Sequence, residues 1–240
     1  MNKIECCFSP ALYPYYADNE DSIVVVVDIF RATTTICTAF AAGAVSVRPV
    51  SSVQEAKKAK SEGQLVGAER NADKCDFADF GNSPYDYFPE KLRGKTLVFT
   101  STNGTRAINA AAGASDIIIG AFVNLLAVAD YCLQKNKNVV ALCAGWKNRF
   151  NIEDTLFGGA LADILTERGN FSASSDAANV AINLWKQAKY DIFDFLKNTE
   201  HVARLQKRFL DKDIKYCLDI NKFNILPRYD KMLNIIKLYN

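Results

Sequence analysis

One histidine, two methionines and two tryptophans occur among the 240 residues, and no Cys-x-x-Cys pair is present. That shortage argues against a zinc centre, because structural zinc takes four thiolate or imidazole ligands at short spacings. The seven cysteines, Cys6, Cys7, Cys37, Cys75, Cys132, Cys143 and Cys217, are odd in number, scattered and set in apolar surroundings. Such a set predicts reduced thiols rather than a disulfide framework. Serine–histidine catalysis would have to use His201, and the polar helical stretch around it, with Arg204 and Lys207, predicts an exposed helix residue. Long hydrophobic runs are missing too. The longest apolar block, Ile23 to Val27, is far too short to span a bilayer. The start, Met1-Asn2-Lys3-Ile4-Glu5-Cys6-Cys7, has no positively charged lead followed by an apolar stretch, so a cytoplasmic protein without a membrane partner is expected. Neither sign of charge dominates. A net charge of +2 without a dense Lys/Arg stripe argues against nucleic acid as a partner, and Lys57-Lys58-Ala59-Lys60 reads as a solvated helix face.

What is present fits a globular chain: 49% hydrophobic and 23% charged residues, long enough to bury a sizeable core. Short β-rich runs alternate with helical patterns over the first two thirds. Strands are expected at Ile4 to Phe8, Ile23 to Phe30, Val45 to Val50, Gln64 to Ala68, Thr96 to Thr100, Ile117 to Gly120 and Val139 to Cys143. Helices are expected at Ala32 to Ala42, Val53 to Glu62, Thr105 to Ala112 and Leu125 to Lys135, with a long polar loop from Glu69 to Pro89. Helices are also expected at Thr155 to Arg168, Asp176 to Ala188 and Ile192 to Phe209, with a late strand near Ile214 to Leu218. The alternation predicts an α/β fold: a three-layer α/β/α arrangement with a largely parallel or mixed central sheet. The whole chain, 1–240, is expected to be one domain whose mostly helical C-terminal third (about 153–240) packs on that sheet.

In open α/β sheets, ligands sit beyond the carboxyl ends of the strands, and three polar clusters fall there. The first, Asp28-Ile29-Phe30-Arg31-Ala32-Thr33-Thr34-Thr35, follows the most apolar strand. A carboxylate at that position is costly unless paired, hydrogen-bonded or on a metal; capping the turn or pairing with Arg31 would also satisfy it. The threonine run is poor helix material, so its hydroxyls and N–H groups are candidates for a role, Thr33 among them. The second cluster, Ser101-Thr102-Asn103-Gly104-Thr105-Arg106, joins a strand to a helix, as an anion site or as an ordinary cap. The third, Cys143 to Thr155, offers Lys147 and Arg149, then Glu153 and Asp154 where a helix begins, a place acidic residues also favour for the helix dipole. The long loop adds Glu69 and Asp79. Carboxylates without histidine, arginines and helix N-termini along one sheet edge suit Mg²⁺ and phosphoryl chemistry on a small anionic substrate.

The strings Val27-Asp28-Ile29-Phe30-Arg31-Ala32-Thr33-Thr34, Gly67-Ala68-Glu69-Arg70, Asp79-Phe80-Gly81-Asn82-Ser83-Pro84, Ser101-Thr102-Asn103-Gly104-Thr105 and Cys143-Ala144-Gly145, with Glu153-Asp154 following, resemble the 2-phosphosulfolactate phosphatase family. The match runs in order over most of the chain. It implies a Mg²⁺-dependent phosphatase with an α/β/α fold that hydrolyses 2-phospho-3-sulfolactate to sulfolactate and phosphate, a step in making coenzyme M. On that reading Asp28, Arg31, Glu153 and Asp154 are the candidate catalytic residues, with Asp28 open between metal ligand and nucleophile. Thr33, Ser101, Thr102, Asn103, Gly104, Thr105, Arg106, Lys147 and Arg149 are the candidate substrate-binding set. Asp28, Glu69, Asp79 and Glu153 are the candidate metal ligands. The alternative is a non-catalytic anion-binding or regulatory protein of the same fold; assembly into a homo-oligomer stays open.

Overall fold

Five β-branched residues in a row, Ile23 to Val27, form a strand with every side chain fully buried. Alternate side chains of a strand point to opposite faces, so both faces of the sheet are covered there. The computed structural model of the protein describes residues 1–16 and 21–239. Its strands are β1 (Asn2–Cys7), β2 (Ile23–Val27), β3 (Ser46–Pro49), β4 (Leu65–Arg70), β5 (Asp73–Lys74), β6 (Thr96–Thr100), β7 (Asp116–Gly120), β8 (Val139–Cys143), β9 (Phe171–Ser172), β10 (Pro227–Asp230) and β11 (Ile235–Leu238). They form one mixed sheet in the order β5-β4-β6-β3-β11-β10-β7-β2-β8-β1-β9. With helices on its faces this is the expected three-layer α/β/α architecture.

Two parallel blocks make up the sheet. In one, β7, β2, β8 and β1 run side by side, with Val25 level with Ile118 on one side and Ala141 on the other. In the other, β3 and β4 flank β6. The antiparallel hairpin β10–β11 joins them, pairing with β7 and with β3. The C-terminal region therefore supplies the middle of the sheet, where the sequence predicts mainly helix. Its alternating pattern is short and interrupted by Pro227 and Arg228, so the strand signal is weak.

Helices follow most strands: α1 (Ala32–Ala41), α2 (Val53–Ser61), α3 (Pro89–Leu92), α4 (Gly104–Ala110), α5 (Leu125–Lys135), α6 (Ile152–Arg168), α7 (Asp176–Ala188), α8 (Ile192–Leu196), α9 (Glu200–Gln206) and α10 (Asp211–Cys217). The predicted strand near Ile214 to Leu218 is instead α10. Asp213, Ile214 and Cys217 recur at helical spacing, and their burial selects helix over strand. The single helix predicted over Ile192 to Phe209 divides in two because Asp191 caps α8 through the Asp194 N–H (2.8 Å) and Thr199 caps α9 through the Val202 N–H (3.4 Å). The predicted loop from Glu69 is in part a β4–β5 hairpin, with a 3-10 turn at Pro84–Asp86.

Threonines in α1 do not act as helix formers. Thr33 Oγ1 donates to Asp28 O (3.0 Å), Thr34 Oγ1 to Ile29 O (3.0 Å) and Thr35 Oγ1 to Asn82 O (2.8 Å). They fasten the turn after β2 and the loop after β5, which offsets their poor propensity. All seven cysteines are free, and burial pushes the thiols of Cys6 and Cys217 up to about 12, so they pack as small hydrophobes. No helix of the described residues is long and apolar enough to cross a membrane. Helices α6 and α7 cross in close contact at Gly159, where a Cβ would lie 2.0 Å from Ala181 O. Gly159→Ala is expected to destabilise the fold by about 1–3 kcal/mol or more, read as a lowered thermal midpoint; an unchanged midpoint would contradict this crossing.

Candidate active site

Asp28 directly follows β2, a wholly buried strand, and is itself only 7% exposed. Burial pushes its carboxyl up to about 6; the nearby charges of Glu69 and Glu153 add to the rise, whereas His201 and the Ala32 N–H oppose it. Its own backbone N–H donates to Thr33 Oγ1 at 3.1 Å. The main chain that carries the carboxylate is thus pinned to α1, and the carboxylate itself is nearly dry.

The tip of β6 comes to meet it. Three successive antiparallel pairings make the β3/β6/β4 block run opposite to the β2 block, and a flat sheet would send their carboxyl ends to opposite edges. Sheet twist accumulates over these strands, and α4 packs on β2. A Cβ on Gly104 would lie 3.2 Å from Asp28 Oδ2, 3.1 Å from Ser101 Oγ and 2.9 Å from Ala32 Cβ. Glycine is what lets these groups share one small space. Ser101 Oγ is buried and has no hydrogen-bond partner, an unmet polar group beside a carboxylate.

Around this point lies a cavity of about 330 Å³. From the β6 tip, Ser101, Thr102 and Asn103 line it; from β4 and the following turn come Glu69 and Asn71. Glu69 accepts from the Ala72 N–H (2.7 Å) and from Asn82 Nδ2 (3.2 Å), and Asn82 Oδ1 is buried without a partner. Arg31 also lines the cavity, but its Nη1 is 2.5 Å from Asp213 Oδ2 and its Nη2 donates to Ala72 O (3.0 Å). It braces the wall and adds positive charge. Arg208 pairs with Asp73. Lys147 and Arg204 instead flank the Trp146 ring, 4.5 Å and 4.3 Å from its centroid, with no ion-pair partner among the described residues.

The tip of β8 completes the site. Asp154 accepts from the Ile29 N–H (2.9 Å) and the Gly145 N–H (3.0 Å), tying the turn after β2 to the loop after β8. Burial and the charges of Glu153 and Asp28 hold its carboxyl well above the usual range. Asp154 is therefore a clamp rather than a cavity residue. Glu153 is 1% exposed, and its Oε1 lies 2.6 Å from His201 Nδ1; it lines an adjoining cavity of about 230 Å³ that shares Trp146, His201 and Arg204 with the first.

The structure therefore gathers Asp28, Arg31, Glu69, Ser101, Thr102, Asn103 and Lys147 around one space, with Gly104 and Glu153 against it. Thr33 serves the backbone of Asp28, and Thr105 Oγ1 accepts from the Ser101 N–H (3.5 Å). Arg106 is exposed and donates to Asn148 Oδ1 (2.7 Å), while Arg149 lines only the adjoining cavity. Asp79 is not brought in: it pairs with Lys60 (2.5 Å) and accepts from the Val66 N–H (2.9 Å). The prediction of an exposed His201 is overturned, since the ring is 9% exposed and faces the cavity. Arg204, Arg208, Trp146 and Asn82 also went unselected. One signal existed: His201, Arg204 and Arg208 recur at three- and four-residue steps, which puts them on one helical face.

Mg²⁺ is often held by only one or two carboxylates, with water and substrate oxygens completing its shell. No group of three acidic, histidine or cysteine side chains suited to a metal is found among the described residues. Asp28 and Glu69, with the unpartnered Asn82 Oδ1, offer hard oxygen atoms to the same cavity, and this set fits that ion.

Carboxylates, cations and an unmet hydroxyl line one cavity of an α/β protein, a set whose chemistry suits a small charged ligand. A sequence model described as 2-phosphosulpholactate phosphatase matches residues 7–232. A Caldanaerobacter subterraneus subsp. tengcongensis protein named probable 2-phosphosulfolactate phosphatase is 40% identical over 215 residues, 88% of this chain and 89% of its own. Proteins of the same name from Thermotoga maritima and Clostridium acetobutylicum are each 37% identical over 213 residues, covering 89% and 88% of this chain and 91% and 90% of theirs. The chain belongs to the 2-phosphosulpholactate phosphatase family.

Proposed function

We propose that the protein hydrolyses the phosphate monoester of 2-phospho-3-sulfolactate, or a similarly small anionic phosphomonoester, to sulfolactate and phosphate, with Mg²⁺ as cofactor. Family membership supports a phosphoric monoester hydrolase. The observation that carries the reading here is the unmet Ser101 Oγ beside Asp28 Oδ2, in the space that Gly104 leaves open. A phosphate oxygen placed there would satisfy the hydroxyl. Thr102 and Asn103 would orient the other oxygens, and Lys147 and Arg204 would draw in the substrate's remaining charges. Asp28, Glu69 and Asn82 Oδ1 would hold the metal, which supplies positive charge against the phosphoryl group in the transition state. Asp154 keeps two loops in register so that these groups stay aligned.

Seven free thiols favour a reducing compartment, and a cytoplasmic site is part of the proposal. A place in coenzyme M synthesis rests on the family resemblance. The test is release of inorganic phosphate from 2-phospho-3-sulfolactate with added Mg²⁺, then with EDTA. Turnover that EDTA abolishes and Mg²⁺ restores is the expected result. Phosphate binding without turnover on any monoester would point to the non-catalytic alternative.

A further inference from the structure

His201 is the second residue of α9 and lines both cavities. Its Nδ1 is 2.6 Å from Glu153 Oε1, a carboxylate shut away from water, and Asn151 Nδ2 lies 3.4 Å from the same nitrogen. Phe30 meets the ring edge-on with centroids 5.5 Å apart. The Phe30 and Glu153 contacts set the ring's orientation, and the 2.6 Å pairing makes Nδ1–H the donor to Glu153, with Asn151 Nδ2, itself a donor, only abutting that nitrogen; Nε2 has no hydrogen-bond partner among the described residues. One nitrogen is anchored to an acid, and the ring lines the same cavity as Asp28 and Ser101.

We propose that His201 is the proton donor to the leaving-group oxygen of the phosphomonoester, oriented by Glu153. The inference rests on the phosphatase reading above and assigns a step within it. An alkyl phosphate leaves as an alkoxide, which is too basic to depart easily without a proton. As the P–O bond to the alcohol breaks, its electron pair goes to that oxygen, which takes the proton from His201 Nε2. Water adds to phosphorus, directly or by hydrolysis of an intermediate, and its lost proton returns to the imidazole. The sum is one ester and one water in, one alcohol and one phosphate out. Glu153, paired with Nδ1, holds the ring in one orientation throughout.

The test compares 2-phospho-3-sulfolactate with its analogue carrying sulfur at the bridging position, whose thiolate departs without a proton. His201→Gln and His201→Asn are both measured, each well below its own unfolding midpoint. The expected result is a loss in kcat of about a hundredfold or more on the oxygen ester and less than about tenfold on the sulfur analogue. Similar losses on both substrates, or no loss on the oxygen ester, overturn the assignment. Absence of turnover by the unaltered protein on every phosphomonoester tried would instead refute the phosphatase reading, so the two failures are told apart.

Discussion

Asp28→Asn is expected to lower turnover by a hundredfold or more while making the metal-free protein more stable at neutral pH. The activity loss follows from removing a charge that must sit against the phosphoryl group and its metal; comparable site groups are worth about 3–4 kcal/mol at the transition state. The stability gain follows from burial. In the folded protein the Asp28 carboxyl is pushed up to about 6, so between about pH 4 and pH 6 the folded state binds more protons than the unfolded one. Stability due to this group is present at low pH and is lost as pH rises through that window. Asparagine never ionises. The variant and the natural protein should therefore match below about pH 4 and diverge by something on the order of 2–3 kcal/mol above about pH 6. Denaturant titrations at several pH values without divalent metal read this directly. A pH-independent difference, or full activity in the variant, would contradict the site.

Gly104→Ala should be nearly as damaging, with the opposite sign on stability. The added methyl would lie 2.9 Å from Ala32 Cβ, which α1 holds rigidly, and within 3.2 Å of Asp28 Oδ2 and Ser101 Oγ. Something must move, and two of the three neighbours, Asp28 and Ser101, belong to the site. We expect about 1–3 kcal/mol of destabilisation. A displacement of the reacting groups by even about 1 Å costs on the order of a hundredfold in rate. Gly113→Ala, close by in sequence, meets nothing within 4 Å and is the control. Equal behaviour of the two variants would mean that the β2 and β6 tips do not meet as described.

Much of this was legible beforehand because the signals are local. The apolar run at Ile23 to Val27 fixes a central strand, and the polar residues at the ends of β2, β6 and β8 mark where a ligand would sit. What local pattern does not carry is direction and depth. Nothing in Asp79 distinguishes it from Glu69; only the fold gives one to Lys60 and turns the other to the cavity. His201 looks polar and exposed among Glu200, Arg204 and Lys207, yet Glu153, 48 residues earlier, draws it inward. Lys207 is indeed exposed, whereas Arg204 and Arg208 line the cavity. The hairpin β10–β11 escapes notice for a related reason: its strands are short, and its place in the sheet is decided by partners far away in sequence.

The most direct measurement is a crystal structure of the protein with Mg²⁺ and inorganic phosphate. The phosphate is expected in the cavity of about 330 Å³, with one oxygen within hydrogen-bond distance of Ser101 Oγ and the metal on Asp28. Phosphate bound elsewhere, with Ser101 and Asp28 left without contact to it, would contradict the account.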